Sequence, residues 1–503
     1  MLVEFIFLLS GLLGSFYLYF TANDNYWKKR GIPFIKPDFL FGNFKDAILG
    51  RRHFGLMYSD LYNKFTDSPL VGIMKSKDPV LLARDPEVAR QIMVTDFRCF
   101  TDNDFTVNLE RDPMWGTNPF SNKGEVWKAL RARWTPHVTP GRIKQSYVSM
   151  ANRAEVMVAH INKRVKANPK TEFLARDLIA SFLTDSIALG TFGVNIDSYA
   201  DPHNPFKVIS NSIFVSDYWA GLLTTTFVVA PWLAKYFRFV SQEIVDLSFS
   251  AARDIMKCQK ETGLPKNDMY TALTNYSIAD GEKTFSELDL AGRIFGMLLD
   301  ASETTSGPVS FGLFEIACNP DVQTRLQAEL DDAAAANGGE LSYDIINQLP
   351  YLDMVLQEVL RHYPPLIHLS RVCTQPIILK KGDVQAKVPI GMTVAVPVLA
   401  IHMDPQYYPD PYKFDPERFA PGMAETRPKS TYMPFGDGPR TCIGMKLGTV
   451  EAKVVLAFLV KNFVVRPVGD RYARPIPIDP NVFVMRPAQE LTVTFSSRNT
   501  HSK

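Results

Sequence analysis

"FGDGPRTCIG", residues 435–444, sets one cysteine among three glycines, an arginine and an aromatic ring. The chain beyond it, "IGMKLGTVEAKVVLAFLVKNF", has apolar residues at 447, 450, 454, 455, 458 and 459, the spacing of a helix, so Cys442 stands at a helix start. Backbone N–H groups and the positive end of the helix dipole face a sulfur there, and such a setting favours the thiolate. A thiolate is a soft anionic ligand suited to iron. Gly436 and Gly438 permit turns closed to other residues, Gly444 lets the backbone approach something flat, and Phe435 can lie against the sulfur's surroundings. Arg440 adds a forked cation that pairs bidentately with carboxylates. The loop reads as a cradle for an iron macrocycle bearing carboxylates.

The remaining cysteines, Cys99, Cys258, Cys318 and Cys373, make an odd total of five with no CxxC pair. That pattern argues against a disulfide framework and against a structural zinc site. They read as small buried hydrophobes in a reducing compartment. Basic and acidic residues number 55 and 53 over 503 positions, so no global charge argues for nucleic acid as a partner.

Residues 2–21, "LVEFIFLLSGLLGSFYLYFT", contain a single charge, Glu4, and as a helix reach about 30 Å, the thickness of a bilayer's hydrocarbon core. No basic cluster precedes the run and no small-x-small site follows it, which favours an uncleaved transmembrane anchor over a signal peptide. Lys28, Lys29 and Arg30 follow directly, and the positive-inside rule then puts the rest of the chain in the cytosol. Pro33 and Pro37 stiffen the connector over 22–37. From 38 to 503 no repeat, low-complexity tract or Gly/Ser linker interrupts the chain, which implies one large domain.

Helices are expected over 121–137, 140–165, 172–192, 285–317, 319–336 (with Asn319 as N-cap and Gly338 near the stop), 350–361 and 443–461. Strands are expected in "PLVGIM", "ILKKGDVQAKV", "MTVAVPV" and "LTVTF". The fold class is mainly α with small β-sheets.

The loop at 435–444 is similar to the haem signature FxxGxRxCxG of the cytochrome P-450 family, with Phe435, Gly436, Gly438, Arg440, Cys442 and Gly444 all in place. Further segments resemble the family's in order and cover nearly the whole chain. "EVLR" supplies Glu358 and Arg361, and "FDPERF" supplies Arg418; the resemblance implies a buried network of the three under the cysteine loop. "WKALR" resembles the family's WxxxR, which implies that Trp127 and Arg131 serve one haem propionate, and Arg371 resembles the arginine that binds the other. "DASETTS", 300–306, resembles the oxygen-activation motif, with Glu303 and Thr304 as the acid and alcohol of a proton relay; back-bonding of the hydroxyl to a helix carbonyl is the plainer alternative. Most members place Ala or Gly where this chain has Asp300, a further candidate catalytic residue with four readings: it extends the proton relay, it recognises a substrate amine or hydroxyl, it bonds covalently to the macrocycle as the resemblance to the fatty-acid-hydroxylating branch implies for a Glu at the matching position, or it is structural.

By resemblance the substrate wall includes Phe105, Phe120, Leu299, Leu366 and Phe483, which favours lipophilic substrates. Phe206, Phe214, Tyr218, Trp219, Phe227 and Trp232 fall where the family caps its pocket and dips into the membrane. A basic patch for an acidic redox partner is expected from Lys123, Lys128, Arg133, Lys446 and Lys453. The implied cofactor is haem b, with O2 as co-substrate and electrons from NADPH through a reductase, and with cytochrome b5 as a further candidate partner. The implied protein is a monooxygenase of the animal microsomal, xenobiotic-metabolising type in the endoplasmic reticulum membrane. Two other readings stay open: a reductase-independent isomerase or dehydratase on the same fold, and a non-enzymatic haem sensor or carrier.

Overall fold

The computed structural model describes residues 1–212, 216–262, 286–469 and 475–498. Leu2–Thr21 is a single helix none of whose residues is buried, and its aromatic side, Phe16, Tyr17 and Phe20, meets Phe39. After it the described chain forms mixed β-structure at one end and helices through the rest.

Strands β1 (Leu70–Lys75), β2 (Asp78–Ala83), β7 (Thr393–Val396) and β4 (Leu369–Val372) make a sheet in the order β1-β2-β7-β4. β2 runs parallel to β7, with Leu82 opposite Ala395, and β4 runs antiparallel to it, with Arg371 opposite Val394. β5 (Ile377–Lys381) and β6 (Val384–Val388) pair with each other as a hairpin. β3 (Phe173–Leu174), β9 (Thr492–Ser497) and β8 (Phe463–Pro467) form the third sheet. β2, β3, β4 and β8 lie outside the strands expected from the sequence; each is six residues or fewer and too short for alternation to stand out.

The helices depart from the sequence expectation at identifiable places. The 121–137 segment is α-helical over Gly124–Trp134 and tightens to a 3-10 turn at Thr135–Val138, because Pro136 has no N–H to continue the α ladder. The 172–192 helix begins at Ala175, since Phe173 and Leu174 pair with β9. Asn319 occupies the N-cap position of Pro320–Ala335, but its amide donates back to the Glu315 carbonyl at 2.8 Å instead of capping the helix.

The long central helix expected over 285–317 consists of Glu287–Met297, a wide π-turn over Leu298–Glu303, and Thr304–Cys318. Ser286 and Asp289 close its start as a capping box. Pro308 lies inside the last part and cannot donate to the Thr304 carbonyl, so the ladder is interrupted just beyond the widened turn. Helices Pro140–Ala167, Ala175–Phe192, Thr304–Cys318, Pro350–His362 and Met445–Asn462 share one apolar core. A second apolar cluster gathers Trp115, Trp134, Phe295 and Leu299. Leu447 packs against both, and a cavity opens between them.

Candidate active site

The cysteine loop takes its shape from two glycines in the left-handed region, Gly436 at φ 76° and Gly438 at φ 72°. A Cβ on Gly438 would stand 1.9 Å from the Met93 carbonyl oxygen, so that position admits only glycine. The Cys442 N–H donates to the Phe435 carbonyl at 2.8 Å and closes the loop. The helix Met445–Asn462 then starts, and the amides of Gly444 and Met445 turn toward the Cys442 sulfur.

Those amides do not by themselves make the sulfur a thiolate. Cys442 is open only to the cavity and is otherwise enclosed, and this burial pushes its thiol up to about 11 despite the two amides and Arg131. The low thiol pKa expected from the helix start is therefore overturned for the protein alone, because desolvation outweighs the dipole. An anion forms there when a metal cation meets the sulfur.

The cavity above Cys442 has a volume of about 290 Å³, far more than a single water needs and enough for a ligand. Trp127, Arg131, Arg371, Phe435, Arg440 and Gly444 line it, as do Asp300 and Thr304 on the central helix. Phe105, Phe120, Leu299, Leu366 and Phe483 line it too, and Phe105 has its ring centroid 5.0 Å from Phe120 and 5.9 Å from Phe483. Asn118, Trp115, Phe239 and Glu451, which no motif in the sequence marks, also line the wall. Each faces the cavity only because another element packs against it.

Arg131 donates to the Thr441 carbonyl at 2.7 Å, and Arg440 to the Thr101 carbonyl at 2.7 Å, with its guanidinium 4.9 Å over the Trp127 ring. Arg371 donates to the Ser370 carbonyl at 2.8 Å, and its Nε, although buried, has no partner. Burial lowers all three, Arg371 to about 9 and Arg440 to about 10. Asp102, 3.9 Å from Arg440, is the one carboxylate within ion-pair reach of the three among the described residues. Three arginines under-matched in charge around an apolar cavity floored by a thiol fit a flat, dianionic iron macrocycle, so the residues present suit haem.

The acid and alcohol expected side by side are separated. Asp300 and Thr304 share one helix face toward the cavity, whereas the neighbouring Glu303 lies about 100° around the helix. Glu303 does not line the cavity; its carboxylate meets Arg176 at 3.2 Å, and Arg176 also holds Glu490 at 3.0 Å. The Thr304 hydroxyl donates to the Asp300 backbone carbonyl, the back-bonded alternative.

Gly438 shapes the loop from outside the cavity, and Glu358, Arg361 and Arg418 form a separate network. Arg361 grips Glu358 through Nε at 2.7 Å and Nη2 at 2.8 Å, with Arg418 3.5 Å from the same carboxylate. Lys453 leaves the expected basic patch: it is buried and paired with Asp353 at 2.9 Å. Lys123, Lys128 and Lys446 are exposed. Of the aromatic group before the central helix, Phe206 and Phe227 are buried, Tyr218, Trp219 and Trp232 are exposed, and Phe214 lies outside the described residues.

A single cysteine under a largely apolar cavity, ringed by arginines and roofed by a π-distorted helix, defines a haem-thiolate protein. The sequence model of the cytochrome P450 family matches residues 33–495, and the chain belongs to that family. It is 32% identical over 470 residues to cytochrome P450 6j1 of Blattella germanica, covering 93% of this chain and 92% of that one. It is 30% identical over 501 residues to cytochrome P450 6A1 of Musca domestica, covering 97% of each, and 32% identical over 497 residues to probable cytochrome P450 6g2 of Drosophila melanogaster, covering 95% and 96%. Family membership makes the protein a monooxygenase-class oxidoreductase that uses haem and O2.

Proposed function

We propose that this protein is a membrane-anchored monooxygenase that inserts one oxygen atom from O2 into lipophilic small molecules. Its electrons come from NADPH through a reductase, with cytochrome b5 as a further donor. The carrying observation is the joint lining of one apolar cavity by Cys442, three arginines and the Phe105–Phe120–Phe483 cluster.

In this reading Cys442 would hold the haem iron, and Arg131, Arg371 and Arg440 would hold its carboxylates. Haem bound there supplies the redox chemistry that activates dioxygen. The aromatic cluster excludes water and presents an apolar wall to the substrate. Thr304, its proton committed to the Asp300 carbonyl, keeps oxygen lone pairs free to hold a water inside the cavity. Glu303, paired with Arg176 behind the helix, holds the π-turn in place. The apolar helix Leu2–Thr21 and the exposed Trp219 and Trp232 support a body lying on the endoplasmic reticulum membrane, on its cytosolic side, with substrate entering from lipid.

The test is product formation by the full chain in phospholipid vesicles with a P450 reductase, NADPH and a panel of lipophilic substrates. Oxygenated product dependent on both NADPH and reductase is expected. Turnover of organic peroxides without either would establish the isomerase or dehydratase reading instead.

A further inference from the structure

Gly292, Gly296, Asp300 and Thr304 recur every four residues and so share one face of the central helix. A Cβ at Gly292 would stand 2.3 Å from Thr117 Oγ1, and one at Gly296 3.2 Å from the Trp134 ring. The bare backbone at Gly292 lets the segment Pro113–Thr117 press directly on the helix, and that at Gly296 makes room for Trp134 and the Asn118 amide. Where that contact ends, Asn118 Nδ2 donates to Asp300 Oδ2 at 2.9 Å. Asn118 Oδ1 in turn accepts from the Phe120 N–H at 2.7 Å, which fixes the end of the amide that faces the carboxylate.

Asp300 opens onto the cavity and is otherwise enclosed by protein. Burial pushes its carboxyl up to about 7, opposed only by the Asn118 hydrogen bond. No cation of the described residues balances it, because Arg131, Arg371 and Arg440 all donate to backbone carbonyls. One carboxylate oxygen is thus held by an amide and the other has no hydrogen-bond partner among the described residues.

We propose that Asp300, oriented by Asn118, is the specificity residue of this cavity and binds the protonated nitrogen of lipophilic amine substrates. The proposal rests on the monooxygenase reading above and names its substrate class. An ammonium N–H supplies the missing donor and the missing charge together, and the surrounding aromatic rings stabilise a cationic head. A proton-relay role is disfavoured by geometry. The Asn118 amide cannot pass a proton, and the Thr304 hydroxyl bonds the Asp300 backbone oxygen instead of its carboxylate. The rest of the wall, Phe105, Trp115, Leu299 and Phe483, would grip the apolar remainder of the amine.

The test titrates the full-length, haem-loaded protein in phospholipid vesicles with a matched pair of ligands by calorimetry at neutral pH. The pair is a dimethylaminoalkyl benzene and its isostere with CH in place of nitrogen. The ratio of amine to isostere affinity is expected to fall about 10- to 100-fold in Asp300→Asn, as for loss of a charge-assisted hydrogen bond, and to be retained in Asp300→Glu. An unchanged ratio in Asp300→Asn overturns the proposal. If Asp300→Asn binds neither ligand, Asp300→Glu decides alone: retention of the wild-type ratio supports the proposal and its loss overturns it. Calorimetry reads binding whatever the reaction, so failure of NADPH-dependent turnover with the ratio intact would count against the monooxygenase reading only.

Discussion

Glu358 and Arg361 meet twice within one helix turn, at 2.7 and 2.8 Å, and neither side chain reaches solvent. Arg361 also donates to the carbonyls of His402 and Pro411, both at 2.9 Å, and Glu358 accepts from the Asp415 N–H at 2.9 Å. The pair thereby ties the helix Pro350–His362 to the chain that leads into the cysteine loop. Burying both charges is sustainable only because every strong donor and acceptor finds a partner.

Removing the carboxylate strands a buried guanidinium. Glu358→Ala is expected to destabilise the fold by about 3–5 kcal/mol, read from denaturant unfolding. Burial alone would raise the Glu358 pKa, but the Arg361 hydrogen bonds outweigh it and hold the carboxyl below its usual 4.5. A depressed folded-state pKa contributes stability that is full above the unfolded value and lost as pH falls through the folded one. The acid side of the stability profile should therefore flatten in Glu358→Gln.

Gly438→Ala forces a Cβ onto the Met93 carbonyl oxygen in a left-handed conformation. A loss of about 2 kcal/mol or more is expected, with weakened haem retention on gel filtration. Ala at Gly444, whose Cβ would lie 3.9 Å from the nearest atom, the Cys442 sulfur, should cost the apoprotein far less.

Arg371 is buried with its Nε unpartnered, so its charge burdens the protein until an anion binds. Arg371→Met should leave the haem-free protein as stable or more so, and lower haem affinity about tenfold or more, measured by haem transfer to apomyoglobin. Equal haem affinity in the two proteins would remove Arg371 from the carboxylate site.

Cys442→Ala should abolish the red-shifted Soret band of the reduced, carbon-monoxide-bound protein, because no other described cysteine lines the cavity and the band needs a thiolate. A mutant that kept the band would place the axial ligand elsewhere.

Lys128 and Lys446 are both exposed, Lys128 within 2.6 Å of Glu125. Reversing both to Glu should slow reduction by the reductase severalfold at low salt and weaken its salt dependence. Reduction kinetics indistinguishable from the parent would move the docking face elsewhere.

The sequence by itself determined the helical majority, the apolar N-terminal helix and the cysteine loop. These features are local: 3.6-residue periodicity, a 20-residue uncharged stretch broken only by Glu4, and glycines at positions whose φ only glycine adopts readily. The sequence also brought most of the cavity's named residues into view through the order of its motifs, as with Trp127, Arg131 and Arg371. Tertiary structure alone decided which way individual charges turned. Glu303 and Thr304 are neighbours in the chain, yet 100° of helix rotation sends one to Arg176 and leaves the other on the cavity. Lys453 left the exposed patch because packing buries its side chain, while its ammonium reaches the half-exposed Asp353, a hundred residues earlier. Asn118 and Asp300 lie 182 residues apart, and no spacing rule joins them. Their contact exists because two glycines let a loop settle on a helix, and a hydrogen bond across such a separation is specified by packing, which a linear pattern does not carry.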